Sequence, residues 1–291
     1  MIKVYFVPAT WITREYRLIR QGLENNSRIK LVDNEENSDF VFLFYTALGR
    51  GLQVIRGFRP DKTVFIDYHD QHNLVFGGSC LAYFKRSWVK GVLEGNYASK
   101  KPIDRPANFH PLTMAIMDEF IISERIARDI VLSCTIRPRI AGPNRGRVLD
   151  FMRKLNIQGR KQIGAFNAGH MTRFNAPDMR DYFRLLRRSR IVVTCNPSLW
   201  EGDHRTWEAF ANGSLVFVDK MYTPMIHPFV DGKHCIFYEV SDSGLKKLEE
   251  QVLYFLKNTI EAEAIAKAGF AFAMKYHRTS NRIDEILDVI L

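Results

Sequence analysis

The sequence lacks the features that define several common classes of protein. No apolar run reaches the roughly 18 residues that a membrane-spanning helix needs. The four cysteines are widely spaced and form no CxxC pair, which argues against a disulfide scaffold or a structural zinc site and suits a reducing compartment. There is no RNP, KH, zinc-finger or helix-turn-helix signature. With 46% hydrophobic and 25% charged residues, the 291-residue chain has an ordinary globular composition and is long enough for two domains.

Positive charge is concentrated in one part of the chain. The formal net charge is +10, and residues 126–195 contain fifteen Lys and Arg against four Asp and Glu. Such a field attracts phosphate groups. It suits a nucleotide diphosphate, a nucleic acid or an anionic membrane surface, and a solvated arginine-rich helix surface is the plainer alternative.

Short apolar runs alternate with helical periodicity along most of the chain. Nearly continuous apolar runs such as FVFLFY and LVFVD predict strands buried on both faces of a parallel sheet. The opening MIKVYFVPAT is interpreted as the first strand, not as a signal peptide. Strands are predicted at 3–8, 29–33, 39–45, 63–68, 81–85, 129–135, 162–166, 190–195 and 215–219. Helices are predicted at 13–25, 47–58, 145–155, 177–188, 205–211, 245–256 and 260–276, with a short one closing the chain.

The alternation predicts an α/β protein with two Rossmann-like halves in tandem. Prolines and lysines interrupt the pattern between 91 and 111, which predicts a loop or linker there. We therefore expect an N-terminal domain at 1–115 and a C-terminal domain at 116–277. Apolar positions at helical spacing in 278–291 permit a last helix that packs back on the first domain.

The segment 195–219, CNPSLWEGDHRTWEAFANGSLVFVD, is the most informative part of the sequence. It reads as strand end, loop, helix, glycine cap and strand. Ligands of open α/β sheets bind beyond the carboxyl ends of the strands, and a helix N-terminus there offers N–H groups to a phosphate. Arg205 at the helix start adds a bidentate cation, and Glu208, one turn later, is placed to accept hydrogen bonds from ribose hydroxyls. In the alternative interpretation, Glu208 pairs with Arg205 on a surface helix.

This segment resembles the donor-binding motif of GT-B glycosyltransferases, E-G-x(n)-E-A-x-A-x-G. Here the motif stands as EG at 201–202 and EAFANG at 208–213, with one residue fewer between the glutamates than in the commonest version. The core R-x-x-E-A at 205–209 and the run PFVDGKHC at 228–235 resemble exostosin-like and CgeB-like enzymes.

The resemblance implies a GT-B fold, in which the two Rossmann-like domains face each other across a cleft. It implies transfer of a sugar from a nucleotide-sugar donor, UDP-linked, to a hydroxyl of a glycan acceptor, with inversion and without a metal or other cofactor. DYHD at 67–70 and YFKR at 83–86 resemble the D-x-x-D and F-K-R motif pair of some of these enzymes. Within that group the chain most resembles exostosin-like xylosyltransferases that build capsid glycans of large DNA viruses such as chloroviruses. That likeness implies UDP-xylose as donor and a cytoplasmic location, in the host cell if the chain is viral. No nucleic-acid partner and no transmembrane segment are expected.

Candidate catalytic residues follow the strand that ends near residue 68. An inverting transfer needs a base for the acceptor hydroxyl, and Asp70 is the first candidate and His69 the second, with turn formation as their alternative role. Asp67, at the same strand end, is expected to line the cleft with them. His69 and His72 lack further ligands at metal-binding spacing, and no DxD triplet marks a metal-dependent GT-A enzyme.

Cations are expected to neutralise the leaving diphosphate in place of a metal. The candidates are Arg205, Arg137, Arg145, Lys85 and Arg86. Candidates for holding the nucleotide and sugar are Asn196, Ser198, Glu201, Asp203, His204, Thr206 and Phe166, the last with core packing as its alternative. Two other functions stay open: a nucleic-acid or polyanion-binding protein that uses the basic stretch 126–195, and a GT-B epimerase or non-catalytic binder of sugar nucleotides.

Overall fold

The computed structural model describes residues 1–50, 59–69, 74–75, 78–88, 108–124, 126–137, 142–164, 177–196 and 202–291. Two sheets of parallel strands carry this part of the chain, one after the other along the sequence.

The first sheet contains six parallel strands. In chain order they are β1 (Ile2–Phe6), β2 (Ile29–Leu31), β3 (Phe40–Phe44), β4 (Thr63–Asp67), β5 (Ala82–Lys85) and β6 (Phe109–Pro111), and in space they run β2-β1-β3-β4-β5-β6. Helix α1 (Arg14–Glu24) connects β1 to β2. It begins after Thr13, whose side-chain oxygen accepts a hydrogen bond from the backbone N–H of Tyr16, a common N-cap arrangement. A 3₁₀ helix, Tyr45–Arg50, follows β3.

The second sheet contains five parallel strands with the spatial order β11-β10-β9-β7-β8. These strands are β7 (Ile130–Cys134), β8 (Arg160–Ile163), β9 (Ser189–Val193), β10 (Leu215–Asp219) and β11 (Ile236–Tyr238). The helices are α2 (Gly142–Lys154), α3 (Pro177–Arg188), α4 (His204–Ala211), α5 (Asp242–Lys257), α6 (Thr259–Tyr276) and α7 (Thr279–Ile290). A 3₁₀ turn, Asp118–Phe120, lies between the two sheets along the chain.

Burial explains why the central strands have continuous apolar sequences. Every residue of β4 and of β10 is buried, as expected for strands covered by helices on both faces of a parallel sheet. Helix α4 ends at Ala211, and Gly213, just beyond its cap residue, adopts a φ of +65°, a left-handed conformation that favours glycine after a helix. The chain then enters β10 directly.

The last helix returns to the first domain. Helix α7 packs along α1, and a Cβ at Gly22 would lie 2.5 Å from the carbonyl oxygen of Thr279, so this helix contact requires glycine. Near the same crossing, the backbone N–H of Ile116 donates to the carbonyl oxygen of His277 at 2.8 Å.

Several sequence-based predictions match the structure and some do not. The helix at 177–188 and the strand at 215–219 have the predicted bounds. A 3₁₀ helix stands at Tyr45–Arg50, where the α-helix at 47–58 was predicted to begin, and 51–58 lie outside the described residues. The predicted loop at 91–111 ends in edge strand β6, which tolerates its proline because an edge leaves N–H positions unpaired.

Candidate active site

Each sheet has one place where the strand order reverses. In the first sheet β1 lies between β2 and β3, and in the second sheet β7 lies between β8 and β9. Such reversals open a crevice beyond the carboxyl ends of the strands, where ligands of α/β proteins bind. The first turn of α1 follows β1, and the segments after β7 and β9 contain most of the predicted site residues.

Two arginines meet on one carboxylate beyond β7 and β9. The Nε of Arg145, on α2, donates to the carbonyl oxygen of Cys195 at 2.9 Å, and its Nη2 donates to Asp203. The Nε of Arg205, on α4, donates to the carbonyl oxygen of Thr135 at 3.0 Å, and its Nη1 lies 3.1 Å from Asp203 Oδ2. Both guanidinium groups are therefore fixed at the switch point of the second sheet.

Positive charge exceeds negative charge in this cluster. Burial raises the pKa of Asp203, but the charges of Arg145 and Arg205 hold that pKa below its usual value. A third cation, Arg137, follows β7, and its pKa is lowered by burial and by the charge of Arg205. Among the described residues, two guanidinium groups thus share one carboxylate and a third lies in the field of Arg205, and that surplus favours binding of an anion.

Asp203 and Thr206 build the start of α4. The Asp203 side chain accepts a hydrogen bond from the backbone N–H of Thr206 at 3.2 Å, and the Thr206 hydroxyl lies 2.8 Å from that of Thr194. Asp203 is buried and engaged with two arginines and the helix start. The structure therefore corrects the prediction that Asp203 meets sugar hydroxyls, and it makes Asp203 the residue that positions the cations.

Two buried asparagines lie beside this cluster along the chain. Asn196, after β9, is fully buried; its backbone N–H donates to Asp219 Oδ1 at 2.6 Å and its Nδ2 donates to the Asp219 carbonyl at 3.2 Å. Asn144 precedes Arg145 in the first turn of α2. The Oδ1 atoms of both asparagines are buried and have no hydrogen-bond partner among the described residues. Buried acceptors are normally paired, so these two are available to donors on a ligand.

Glu208 connects the two domains. It is buried on α4; its Oε2 accepts from the Tyr182 hydroxyl at 2.8 Å, and Oε1 forms an ion pair with Arg14 from the start of α1. The Arg14 guanidinium also lies 4.7 Å from the ring centroid of Phe120. The alternative in which Glu208 pairs with Arg205 on a surface helix is wrong, because Glu208 is buried and its ion-pair partner is Arg14.

A second contact between the domains lies one residue further along α1 and about one turn earlier on α4. The Nε2 of His204 and the Oε1 of Glu15 are 2.8 Å apart, and Arg86 Nη1 is 3.7 Å from the same carboxylate oxygen. Burial and the charge of Arg14 lower the pKa of His204, so its ring is neutral and donates from Nε2. Burial raises the pKa of Glu15, but His204 and Arg86 outweigh it and keep the carboxylate charged. His204 therefore contacts the first domain.

Lys85 and Asp67 do not face the cleft. Both side chains are fully buried, with Lys85 Nζ 3.2 Å from Asp67 Oδ1 and 2.8 Å from the carbonyl oxygen of His69. The Tyr83 hydroxyl donates to Asp67 Oδ2 at 2.5 Å. The prediction that Lys85 neutralises a diphosphate is corrected, as is the prediction that Asp67 lines the cleft, because their charges satisfy each other inside the first domain.

The candidate bases are only partly described. His69 is half-buried after β4, with its ring 6.1 Å from that of Tyr45 and its Nδ1 without a hydrogen-bond partner among the described residues. Asp70, Phe166, Ser198 and Glu201 lie outside the described residues, and their predicted roles stay predictions.

Arg14, Glu15 and Tyr182 were not among the predicted site residues. A signal existed for the first two, because they follow the N-cap Thr13 in the first turn of α1, directly beyond β1 at the switch point of the first sheet. Tyr182 carries no local signal, since its contact with Glu208 depends on how α3 packs beside α4.

A glycosyl transferase-like family model matches residues 140–288, more than half of the chain. The chain belongs to this family. The matched region contains β8 to β11 and the residues Arg145, Tyr182, Asp203, Arg205 and Glu208. None of the curated proteins matches the chain.

Solved structures of glycosyltransferases resemble the whole chain. HepE of Anabaena, in complex with UDP and glucose, has a TM-score of 0.58 and 11% identity over 100% of this chain and 99% of its own. An alpha-glucosyltransferase in complex with UDP has a TM-score of 0.60 and 9% identity over 99% of both chains. A glycosyltransferase from Rickettsia africae has a TM-score of 0.57 and 10% identity over 99% of this chain and 97% of its own. The predicted GT-B fold is confirmed.

The described residues lack a metal-ligand cluster and a membrane-spanning helix. Among these residues no group of three or more His, Cys, Asp and Glu side chains is arranged to hold a metal ion. No helix in the described ranges is both long enough and apolar enough to cross a membrane.

Proposed function

We propose that this protein transfers a sugar from a UDP-sugar to a hydroxyl of a glycan. The observation that carries the proposal is the surplus of guanidinium charge at the switch point of the second sheet. Arg145 and Arg205 are fixed there by carbonyl oxygens of Cys195 and Thr135. The family match and the structural likeness to proteins solved with UDP support the same donor class.

The cluster is suited to the leaving group of such a reaction. When the bond between the anomeric carbon and the diphosphate oxygen breaks, negative charge develops on the diphosphate. Preorganised cations lower the free energy of that transition state because they need no reorganisation during the step. In this proposal Arg145, Arg205 and Arg137 hold the diphosphate, and the reaction needs no metal.

Glu208 is proposed to hold the ribose. An ionised carboxylate has about four lone-pair sites, so it can accept further hydrogen bonds beside those from Arg14 and Tyr182. The Oδ1 atoms of Asn144 and Asn196 are candidates for donors on the uracil or the sugar. Because Arg14 and Glu15 reach α4 from the first domain, nucleotide binding is coupled to the contact between the domains.

Inversion of the anomeric centre stays a prediction from the sequence. It needs a base near the acceptor hydroxyl, for which Asp70 and His69 are the candidates. Retention is the competing outcome, and one observation favours it: a structural relative named alpha-glucosyltransferase is solved with UDP-glucose, itself an α-linked donor. The proton NMR coupling constant at the anomeric position of the product separates the two courses.

The donor sugar and the acceptor also stay predictions. UDP-xylose is implied by the viral resemblance, and UDP-glucose is the donor bound in HepE. A glycan is the predicted acceptor, and DNA is the competing one because an alpha-glucosyltransferase of this fold is solved with DNA. DNA binding would show a steep dependence on salt concentration, which a neutral glycan would not.

A nucleotide panel tests the proposal. Thermal unfolding is followed with UDP, GDP, ADP, UDP-xylose and UDP-glucose, in EDTA and then with manganese. A ligand of the folded state raises Tm by mass action, so UDP and one UDP-sugar should raise it in EDTA. Arg145→Gln should remove the shift, whereas Arg153→Gln, an exposed position on the same helix, should keep it. A shift with GDP alone would overturn the donor class, and a shift that requires manganese would overturn metal independence.

A further inference from the structure

The candidate active site uses few of the cations in the basic stretch. Of the fifteen Lys and Arg between 126 and 195, Arg137 and Arg145 belong to the site, and Arg205 lies outside the stretch. Other members gather at the opposite edge of the second sheet, where β7 and β9 begin. The sheet separates the two groups by about 16 Å, since a five-residue strand rises about 3.3 Å per residue.

A cavity of about 620 Å³ opens at this opposite edge. It lies between the amino ends of the strands and helix α6. Its lining includes Arg128, Arg190, Gly213, Thr259, Glu263 and Lys267. Three of these side chains are cationic and one is acidic, so the cavity carries net positive charge.

Two of these cations have no partner among the described residues. Neither Arg190 nor Lys267 makes a hydrogen bond or an ion pair with any residue in the described part of the chain. Exposed cations commonly lack partners, but these two line one cavity together with a third cation. A ligand anion there would therefore meet two charges that are not already engaged.

Arg128 is held in place by groups that do not cancel its charge. Its Nη1 donates to the carbonyl oxygen of Ser189 at 2.5 Å, and its Nη2 donates to the carbonyls of Asn212 and Gly213 at 2.7 and 2.8 Å. Carbonyl oxygens orient a guanidinium without neutralising it. The backbone of Gly213, in its left-handed conformation, leaves room for this approach, because a Cβ there would lie 3.2 Å from Arg128 Nη2.

The cations at this edge repel one another. Burial and the charge of Arg187 lower the pKa of Arg128 to about 10. Arg187 Nη1 donates to the Asn212 carbonyl oxygen at 3.1 Å, the same oxygen that Arg128 contacts. A bound anion would relieve this repulsion. Helix α6 adds to the field, because it begins at Thr259 in the cavity and its N-cap residue makes no side-chain hydrogen bond to it.

We propose that this cavity is a second anion site, which binds a phosphate group through Arg190, Lys267 and Arg128. The phosphate is carried by a soluble molecule or by a lipid head group. The site is separate from the nucleotide site and does not depend on the proposed transfer reaction.

Titration with sodium pyrophosphate at constant ionic strength tests the site. Isothermal titration calorimetry should detect binding that Arg190→Gln/Lys267→Gln weakens at least tenfold, as expected for loss of charged hydrogen bonds. Lys154→Gln/Lys257→Gln removes the same charge from exposed positions outside the cavity and should bind as the wild type does. Circular dichroism melting confirms that each variant is folded.

One variant should strengthen binding. Glu263→Gln removes the acidic side chain of the cavity, so pyrophosphate should bind a few times more tightly, a result that damage to the fold would not produce. Pyrophosphate also fits the proposed nucleotide site, so the titration is repeated in Arg145→Gln. The part of the binding that Arg190→Gln/Lys267→Gln weakens should persist in Arg145→Gln, which distinguishes the cavity from the nucleotide site. The proposal is overturned if Arg190→Gln/Lys267→Gln binds pyrophosphate like the wild type, or if the control pair weakens binding equally.

Sedimentation with vesicles identifies the source of the phosphate. Vesicles of phosphatidylcholine with phosphatidic acid should pellet the wild type, and not the Arg190→Gln/Lys267→Gln variant, if the phosphate belongs to a lipid. Pyrophosphate binding without pelleting would assign the site to a soluble phosphorylated molecule. Equal pelleting of the wild type and the variant would overturn the lipid source.

Discussion

The carboxyl edges of the two sheets both carry buried charges, but the charges are balanced in one and unbalanced in the other. In the first sheet Asp67 and Lys85 are fully buried, and each has the other as its partner. In the second sheet Arg145 and Arg205 share Asp203, with Arg137 in the same field. A charged side chain at a strand end therefore does not by itself indicate a ligand site. A ligand site is indicated where charges of one sign outnumber the opposite charges around them.

The largest expected loss of stability comes from removing one charge of the buried pair Asp67–Lys85. Asp67→Asn takes from the buried Lys85 ammonium the carboxylate that lies 3.2 Å away, so the free energy of unfolding should fall by about 3–5 kcal/mol. Urea denaturation followed by circular dichroism measures it. Asp67→Asn/Lys85→Met removes both charges and should be more stable than the single variant. A loss below about 1 kcal/mol in Asp67→Asn would contradict the assignment of this pair as structural.

At the unbalanced edge of the second sheet, loss of a charge should reduce ligand affinity more than stability. Arg205→Ala removes a cation from a cluster that still holds Arg145, so UDP affinity should fall by roughly 10–100-fold and transfer should be abolished. Its free energy of unfolding should change less than that of Asp67→Asn. Calorimetric titration with UDP and urea denaturation give the two values. Near-wild-type turnover in Arg205→Ala would remove Arg205 from the site.

The difference between the two edges shows what the sequence could and could not predict. Apolar strands and helix caps are local features, and they placed Arg145 and Arg205 beyond the correct strand ends. The Lys85 side chain could contact either the cleft or Asp67. The register of β4 against β5 decides between them, and it pairs Lys85 directly with Asp67. A sequence pattern does not determine register between parallel strands, so the prediction that Lys85 faces the cleft was wrong.

Contacts between segments that are distant in the sequence also could not be predicted. Glu208 was identified from its spacing to Arg205, but its partner Arg14 lies 194 positions away along the chain. The three-residue edge strands β6 and β11 were not predicted because they are too short for a periodic pattern, whereas the equally short β2 was predicted within 29–33.

His204 contacts Glu15 of the first domain, and its protonation should make the free energy of unfolding depend on pH. Burial and Arg14 lower the pKa of this ring, so the folded state binds a proton less readily than the unfolded chain, whose histidine pKa is about 6.5. Stability is then complete above that pH and is lost as the pH falls below it. His277, with a pKa lowered to about 2 by burial and by Arg282, contributes in the same direction.

The variant His204→Asn isolates the contribution of this ring. Between pH 6.5 and 5 the decline in unfolding free energy should be shallower than in the wild type, by up to about 1.4 kcal/mol per pH unit for one proton. The carboxylate of Glu15 stays charged there, since its pKa lies below the usual value. Urea denaturation at several pH values measures both slopes, and identical slopes would show that His204 does not titrate on unfolding.

Tyr182→Phe should change the free energy of unfolding least among these variants. It separates two roles of Glu208 at the edge of the second sheet, binding of the nucleoside and support of the cation cluster. The variant removes one hydrogen bond to Glu208 and keeps the ring, so the free energy of unfolding should fall by about 1 kcal/mol. If Glu208 holds the ribose and Tyr182 orients it, uridine affinity should fall a few-fold while pyrophosphate affinity stays unchanged. Arg205→Ala should instead weaken both UDP and pyrophosphate. Equal losses of uridine and pyrophosphate affinity in Tyr182→Phe would show that Glu208 supports the cation cluster and does not bind the nucleoside.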